Sequence, residues 1–309
     1  MYQAFQSCAP GCRTVFCPHC HSTRVRKHGF FYRRDDARHI QRYRCGDCHK
    51  SFSRAGYTPF YRHRHRRLKE RIRVSLANNG TIRGTARNLH IDKDTVARYL
   101  VLLARQVRLR QKRCVHSPAL ARRVQFDELI TFEHTKMKPL SVMLITDTER
   151  WHMLWFIVSR IPASGHLAAK SREKYGHRPD QSLLRRAVLL RRVAPNIDPY
   201  ARLDTDSHSA YPPLIKRFLP DAQHVRHKSK RAAIVGQGEL KTGGWDPLFC
   251  VNHQLAMLRA NISRLFRRSW NTTKRVTRLA DHLTIYIDHY NRCLRPPSAR
   301  AFEAGEYSV

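Results

Sequence analysis

The sequence predicts a multidomain protein with three parts: a small cysteine-rich ribbon at residues 1–60, a basic helical segment at 61–113 and an α/β domain at 122–309. Three observations support this division. Two Cys-x-x-Cys pairs lie near the N-terminus, apolar residues then recur at helical spacing, and β-branched and aromatic runs begin at Val124. A chain of 309 residues is long enough for two or three domains.

The first part contains two matched cysteine pairs, Cys17-Pro-His-Cys20 and Cys45-Gly-Asp-Cys48. Tetrahedral zinc needs four thiolates on two tight turns, and each pair places two sulfurs within reach of one ion. The segment between the pairs contains short strand-like pieces, as a ribbon would. We therefore predict one structural Zn²⁺ held by these four cysteines; the alternative is four reduced cysteines without a metal.

Other potential ligands lie close to these pairs. Cys8 and Cys12 form a looser pair, which we interpret as a flexible flank in preference to a second ligand pair. His19, His21 and His49 adjoin the cysteines, and we interpret them as exposed basic side chains rather than ligands.

The apolar positions of residues 70–103 follow a helical period, and this pattern predicts helices separated by tight turns. The Asn-Asn-Gly at 78–80 ends the first helix, a short helix follows, and Asp92 caps the next one. A short helix, a tight turn and a second helix place that second helix in the major groove of DNA. We therefore predict a helix-turn-helix; the alternative is a three-helix bundle without a ligand. The predicted DNA-reading face contains Lys93, Thr95, Arg98 and Tyr99.

The remaining segment predicts an α/β layered domain. Three strand-like runs at 123–134, 139–148 and 151–160 form an antiparallel meander. A helix at about 181–193, a fourth strand ending at Asp206, a short helix and a fifth strand follow, and two long helices lie between Phe249 and Arg295. Strands that alternate with helices after a meander are typical of an α/β domain.

The charge of the chain points to a polyanionic partner. Lys and Arg total 59 against 23 Asp and Glu, which gives a formal net charge of +36 and a pI near 10.9. A polyanion relieves the resulting self-repulsion, and each phosphate that is neutralised releases counterions. The basic residues interleave with aromatics across globular segments and do not line one amphipathic helix, which favours nucleic acid over an anionic membrane surface.

The hydrophobic content of 41% excludes a disordered protein. No apolar run approaches the ~18–20 residues of a transmembrane helix, and the N-terminus lacks the pattern of a secretory signal. We expect a cytoplasmic protein with no membrane partner, where disulfides are rare. Cys114, Cys250 and Cys293 are then structural or incidental thiols.

Taken together, these motifs resemble prokaryotic insertion-sequence transposases. The segments that carry the resemblance are CPHC, RYRCGDCHKSFS, NNGTIRGTARNLHIDKDTVARYL and FDEL with its strand meander, and it covers residues 17 to about 293. The resemblance implies a zinc ribbon, a helix-turn-helix and an RNase H-like catalytic domain of the DDE type. The order of the three parts is more specific than any one of them.

The resemblance implies that acidic residues hold two divalent cations, Mg²⁺ or Mn²⁺, one for the attacking oxygen and one for the leaving oxygen. Asp127, in the middle of the first strand, matches the first acid, and Glu128 beside it points to the opposite face. Asp206 matches the second acid, with Tyr211 after it. Asp204 shares the face of Asp206 and is the rival, but Asp206 lies at the strand end beside the expected crevice.

The third position departs from the family. The usual pattern is Glu followed seven residues later by Lys or Arg; Arg259 fits the basic position, where it would contact DNA, but Asn252 stands in place of Glu. An Asn oxygen coordinates a hard cation without supplying charge. Glu239 and Asp246, just upstream, are alternative third ligands.

The resemblance implies a transposase that binds double-stranded DNA at its element ends and at the target, cleaves and joins strands, and forms a homo-oligomer on DNA in the nucleoid. Two other interpretations stay open at this point. One is a DNA-binding regulator or inactive transposase derivative without catalysis, which Asn252 favours. The other is a structure-selective nuclease with the same core.

Overall fold

A computed structural model describes residues 15–57, 63, 65–113, 120–228, 246–266 and 271–296. The chain divides into two compact units, Met1–Ile72 and Arg73–Val309. The second unit contains most of the predicted DNA-reading segment as well as the α/β domain. None of the helices in the described part of the chain has both the length and the apolarity that crossing a bilayer requires.

The first unit contains a three-stranded antiparallel sheet in the order β1-β2-β3, formed by β1 (Val25–Arg33), β2 (Arg38–Cys45) and β3 (Ser51–Ser53). Aromatic contacts among the described residues of this unit are few. Tyr43 stacks on Phe52 with ring centroids 5.8 Å apart, and Tyr57 meets the edge of Phe52 at 6.0 Å. So small a core gives little stability, which is where a structural metal contributes most.

Three helices follow: α1 (Lys69–Ala77), α2 (Ile82–Asn88) and α3 (Lys93–Arg113). The Thr81 hydroxyl caps α2 by accepting from Gly84 N at 2.8 Å. Asp92 caps α3 as predicted, since its Oδ1 accepts from Asp94 N at 2.7 Å. Gly80 is required in the turn after α1, because a Cβ there would lie 2.3 Å from the Ser75 carbonyl oxygen. α3 continues to Arg113, the last residue of the predicted basic helical segment.

The α/β part is built on a five-stranded mixed sheet in the order β6-β5-β4-β7-β8. Its strands are β4 (Ala121–Phe132), β5 (Pro139–Asp147), β6 (His152–Arg160), β7 (Ile197–Asp206) and β8 (Gln223–His227). The first three are antiparallel neighbours, whereas β7 lies parallel to β4 and β8 parallel to β7. The sequence predicted the meander and the later strands, and both are confirmed.

Helices cover both faces of this sheet: α4 (Ala168–Tyr175), α5 (Ser182–Val193), α6 (Tyr211–Phe218), α7 (Phe249–Asn261) and α8 (Val276–His289). One face packs its leucines and valines on α7 and α8. The other packs Phe126, Met143 and Ile145 on α5 and α6. α4 was not predicted, since AAKSREKY is largely polar and buries only Ser171.

α3 packs directly against α8. Arg108 Nη1 lies 2.8 Å from Asp281 Oδ1, and Arg110 forms a second ion pair with Asp288. Asp281 and Asp288 are 4% and 8% exposed, so each needs a cation to offset the loss of hydration. The buried His282 ring donates to the Leu76 carbonyl at 2.7 Å, and burial lowers the pKa of His282 to about 4. α3 and the end of α1 are therefore fixed to the outer layer of the sheet.

Candidate active site and metal centre

The four predicted cysteines form one cluster. The ligand atoms of Cys17, Cys20, Cys45 and Cys48 lie within 4.8 Å of one another. The Sγ atoms of Cys17 and Cys48 are 3.5 Å apart, as are those of Cys20 and Cys45. Tetrahedral zinc with Zn–S bonds of about 2.3 Å places sulfurs about 3.8 Å apart, so the spacing fits.

None of these four cysteines forms a disulfide. Backbone N–H groups of Cys48 and then Asp47 point at the Cys45 sulfur, and they lower the pKa of that thiol to about 6. His19 N similarly donates to Cys17 Sγ at 3.4 Å. Donors that stabilise thiolate favour metal ligation. The arrangement can therefore hold one zinc ion. Cys8 and Cys12 lie outside the described residues.

The N-terminal turns of α3 present the predicted DNA-reading side chains. Lys93 and Arg98 are exposed and Thr95 is half-buried. The Arg98 guanidinium lies over its own helix, 3.3 Å from the Asp94 carbonyl oxygen. Tyr99 was wrongly placed on this face: it is 0% exposed and belongs to the core, because its position shares the apolar stripe of Val96.

Asp127 lies in the middle of β4, at the centre of the sheet. Its Oδ1 accepts from Glu128 N at 2.7 Å. Burial, with a smaller contribution from the carboxylates of Asp206, Glu128 and Asp246, raises the pKa of Asp127 to about 6, although that hydrogen bond lowers it. A carboxyl of this kind is costly to ionise without a compensating cation.

Asp206 ends β7, the parallel neighbour of β4, as predicted. Its Oδ1 accepts from His208 N at 3.0 Å, in the turn that leaves the strand. The rival Asp204 is already engaged: it accepts from Arg202 Nε at 3.1 Å and lies 2.7 Å from His227 Nε2. Its charge is therefore compensated within the protein, whereas Asp206 adds to the negative field at Asp127.

Gln125 joins the start of α7 to the central strand. Its side chain donates to the Pro247 carbonyl at 2.7 Å and accepts from Val251 N at 3.0 Å. Next to this joint, Asn252 Nδ2 donates to Asp246 Oδ2 at 2.8 Å. Two of the alternatives for the third ligand are thus hydrogen-bonded neighbours near Asp127, while Glu239 lies outside the described residues. Arg259 is half-buried on the same helix.

The sequence reasoning missed a buried cluster behind Asp127. Glu128 points to the opposite face as predicted, where it accepts from Arg186 Nε at 2.5 Å, Tyr211 OH at 3.1 Å and Ser141 Oγ at 2.5 Å. A signal was available: Arg186 occupies the buried stripe of α5 together with Leu189, Leu190 and Val193. A basic residue in such a stripe indicates a buried acid opposite.

Among the described residues, the four cysteines form the only group of three or more potential metal ligands whose ligand atoms all lie within 4.8 Å of one another. The acids around Asp127 are more widely spaced than that. Their charges repel one another around Asp127, and a cation would draw these carboxylates together.

Comparisons with known proteins agree with part of this description. No family model matches the chain. The N-terminal region is similar to the insertion element iso-IS1N protein InsA of Shigella dysenteriae, with 37% identity over 86 residues, which is 28% of this chain and 87% of that protein. The catalytic domain of the Mos1 mariner transposase aligns with 68% of this chain and 95% of its own, at 13% identity and a TM-score of 0.27. A score that low does not establish a shared fold.

Proposed function

Because the chain belongs to the insertion-sequence transposases, we propose that it binds the ends of its element, cleaves DNA strands there and joins them to target DNA. One observation carries this proposal. Asp127 and Asp206 lie on adjacent parallel strands, and burial with nearby carboxylates raises the pKa of Asp127 to about 6. Such a cluster destabilises the fold and supplies the oxygen ligands that Mg²⁺ and Mn²⁺ prefer.

Asp127 and Asp206 are the residues that would hold the divalent cations, in an RNase H-like arrangement of the sheet. The cations would activate the attacking oxygen and stabilise the leaving oxygen of a phosphodiester displacement. The chain itself fixes the two acids. Asp127 is held in the central strand, where its carboxylate accepts from Glu128 N, and the Asp206 carboxylate accepts from His208 N in the turn after β7. Glu128 stabilises that strand from behind through Arg186.

Asp246 and Asn252 complete the site in this proposal. Asn252 donates its amide N–H to Asp246, which orients the carboxylate and leaves the amide oxygen as the atom that it offers a cation. The pair thus supplies the charge that the Asn alone lacks. Arg259, two helical turns after Asn252, contacts the DNA backbone.

DNA recognition belongs to the N-terminal parts. Zinc on the four cysteines stabilises the ribbon, and Lys93, Thr95 and Arg98 at the start of α3 enter the major groove as a helix-turn-helix. Each exposed cation near the duplex also contributes through counterion release. The active assembly is a homo-oligomer on DNA.

The test uses duplexes with the sequences that flank the gene. With Mg²⁺ or Mn²⁺ the wild-type chain should cleave them at the element boundary, while Asp127→Asn and Asp206→Asn bind the ends and do not cleave. Asp221→Asn, in an exposed turn, is the matched control and should cleave normally. Specific binding without cleavage by the wild type would support a regulator instead, and cleavage without joining would support a nuclease.

A further inference from the structure

Tyr211, the first residue of α6, lies behind the two acids of the candidate site. It is 1% exposed, and its side chain contacts both residues that flank Asp127 in β4. The ring centroid of Tyr211 is 4.7 Å from that of Phe126, and its hydroxyl donates to Glu128 Oε1 at 3.1 Å. One buried residue therefore holds the strand on each side of Asp127.

The same tyrosine is tied to the turn that carries Asp206. Tyr211 N donates to the His208 carbonyl at 3.2 Å, and the centroids of the two rings lie 5.4 Å apart. His208 N in turn donates to Asp206 Oδ1 at 3.0 Å. Pro212 and Pro213 follow in the first turn of α6, where their fixed φ angles restrict the backbone. The path from Asp206 to Tyr211 is thus short and conformationally restricted.

A buried ion pair holds the acceptor of the Tyr211 hydroxyl. Glu128 Oε1 also accepts from Arg186 Nε at 2.5 Å, and Ser141 Oγ donates to Glu128 Oε2 at 2.5 Å. The Glu128 backbone N–H then donates to Asp127 Oδ1 at 2.7 Å. Three donors thus set where the Glu128 side chain lies, and the backbone donor of the same residue orients the Asp127 carboxylate.

Stability alone does not account for this network. The side chains of Arg186 and Glu128 are 7% and 11% exposed. Removing two such charges from water offsets much of their attraction, and apolar residues of similar volume often stabilise a fold equally well. Burial, and then the charge of Glu128, raises the pKa of Tyr211 far above its usual value, so the phenol remains a hydrogen-bond donor at neutral pH. A fully satisfied polar network fixes one geometry, and this one fixes the surroundings of the two acids.

We propose that Tyr211 is a positioning residue that sets the Asp127 carboxylate relative to that of Asp206, and thereby the affinity of the two acids for a divalent cation. It reaches Asp127 through Glu128 and Asp206 through His208. Removing a group that orients a metal ligand typically lowers metal affinity by about 10- to 100-fold. The inference rests on the proposed function, because it takes Asp127 and Asp206 as the cation ligands.

The experiment titrates the zinc-loaded full chain with Mn²⁺ and follows the free ion by electron paramagnetic resonance. The binding that disappears in Asp127→Asn defines the candidate site. Tyr211→Phe keeps the ring and removes only the hydroxyl, and it should weaken that binding about tenfold. Tyr286→Phe is the matched control: Tyr286 is 0% exposed and its hydroxyl accepts from Asn261 Nδ2 at 3.3 Å. This control should bind Mn²⁺ as the wild type does.

Urea unfolding of the same proteins separates positioning from stability. Both tyrosine variants lose one buried hydroxyl and should be destabilised to a similar extent, but only Tyr211→Phe should lose Mn²⁺ affinity. Equal Mn²⁺ affinities for the wild type and Tyr211→Phe would overturn the proposal. Equal weakening in Tyr286→Phe would also overturn it, and so would a wild type that binds no more Mn²⁺ than Asp127→Asn does.

Cleavage of the element ends with Mn²⁺ is measured on the same proteins. A wild type that binds Mn²⁺ at the candidate site and does not cleave refutes the proposed function only. Cleavage by the wild type, together with unchanged Mn²⁺ affinity in Tyr211→Phe, refutes this inference only.

Discussion

Replacing Asp127 by Asn should stabilise the metal-free protein while removing its cation site. Burial raises the pKa of Asp127 to about 6 in the folded state, against about 3.9 in an unfolded chain. Because the folded pKa is the higher one, this group favours folding fully below about pH 4, and the contribution is lost as the pH rises through about 6. Above that pH the ionised Asp127 carboxylate destabilises the folded state.

The magnitude follows from the two pKa values. One pH unit between the folded and unfolded values corresponds to about 1.36 kcal/mol, so ionised Asp127 costs the folded state up to about 3 kcal/mol. Asn keeps the acceptor for Glu128 N and does not titrate. The stability of Asp127→Asn relative to wild type should thus be greater at pH 8 than at pH 4 by up to about 3 kcal/mol, or roughly 6–12 °C in Tm.

The assay is urea unfolding of zinc-loaded protein in magnesium-free buffer, followed by tryptophan fluorescence. All four tryptophans lie after residue 72, so the signal reports the second unit. Added Mg²⁺ should stabilise the wild type at pH 8 and leave Asp127→Asn unchanged. Asp221→Asn controls for the loss of an exposed carboxyl. A stability difference between Asp127→Asn and wild type that is equal at both pH values would refute the reasoning.

Three further predictions address the other parts. Cys45→Ser should release zinc and unfold the ribbon while the five-stranded sheet persists, as metal analysis and circular dichroism would show; retained zinc would contradict this. Arg98→Ala should lower the preference for element ends over random duplex by about 5- to 150-fold, corresponding to ~1–3 kcal/mol, and an unaltered preference in competition binding would remove Arg98 from the interface. Asp246→Asn should reduce cleavage more than Asn252→Ala, since Asp246 supplies a charged ligand whereas Asn252 supplies a neutral oxygen and an orienting hydrogen bond; normal cleavage rates for both would place the third ligand elsewhere.

The elements that follow a regular pattern were predictable from the sequence. The meander, the parallel strands and the capping of α3 by Asp92 each rest on local periodicity or on one local hydrogen bond. The cysteine cluster was also predictable, because the Cys-x-x-Cys spacing that suits a metal ion is a local property of each pair. In the site, strand alternation correctly separated Asp127 from Glu128.

The rest depends on contacts between residues far apart in sequence. The bond between Asn252 and Asp246 needs α7 to be seated by Gln125, a side chain more than a hundred residues earlier. The ion pair of Glu128 with Arg186 likewise joins β4 to α5. Tyr99 is buried on α3 by its tertiary contacts, which the charged residues beside it in the sequence did not indicate. No local pattern determines such pairings, even where a stripe such as that of α5 hints at them.

The central claim is that this chain joins DNA strands with the Asp127 and Asp206 site, and strand transfer tests it most directly. A labelled duplex with a pre-cleaved element end is incubated with the zinc-loaded chain, Mg²⁺ and a supercoiled target plasmid. The wild type should produce labelled end–target junctions that sequencing confirms, and Asp127→Asn and Asp206→Asn should bind the end without producing any. Junctions formed equally by both variants would contradict the claim, as would a wild-type chain that binds the end yet forms none.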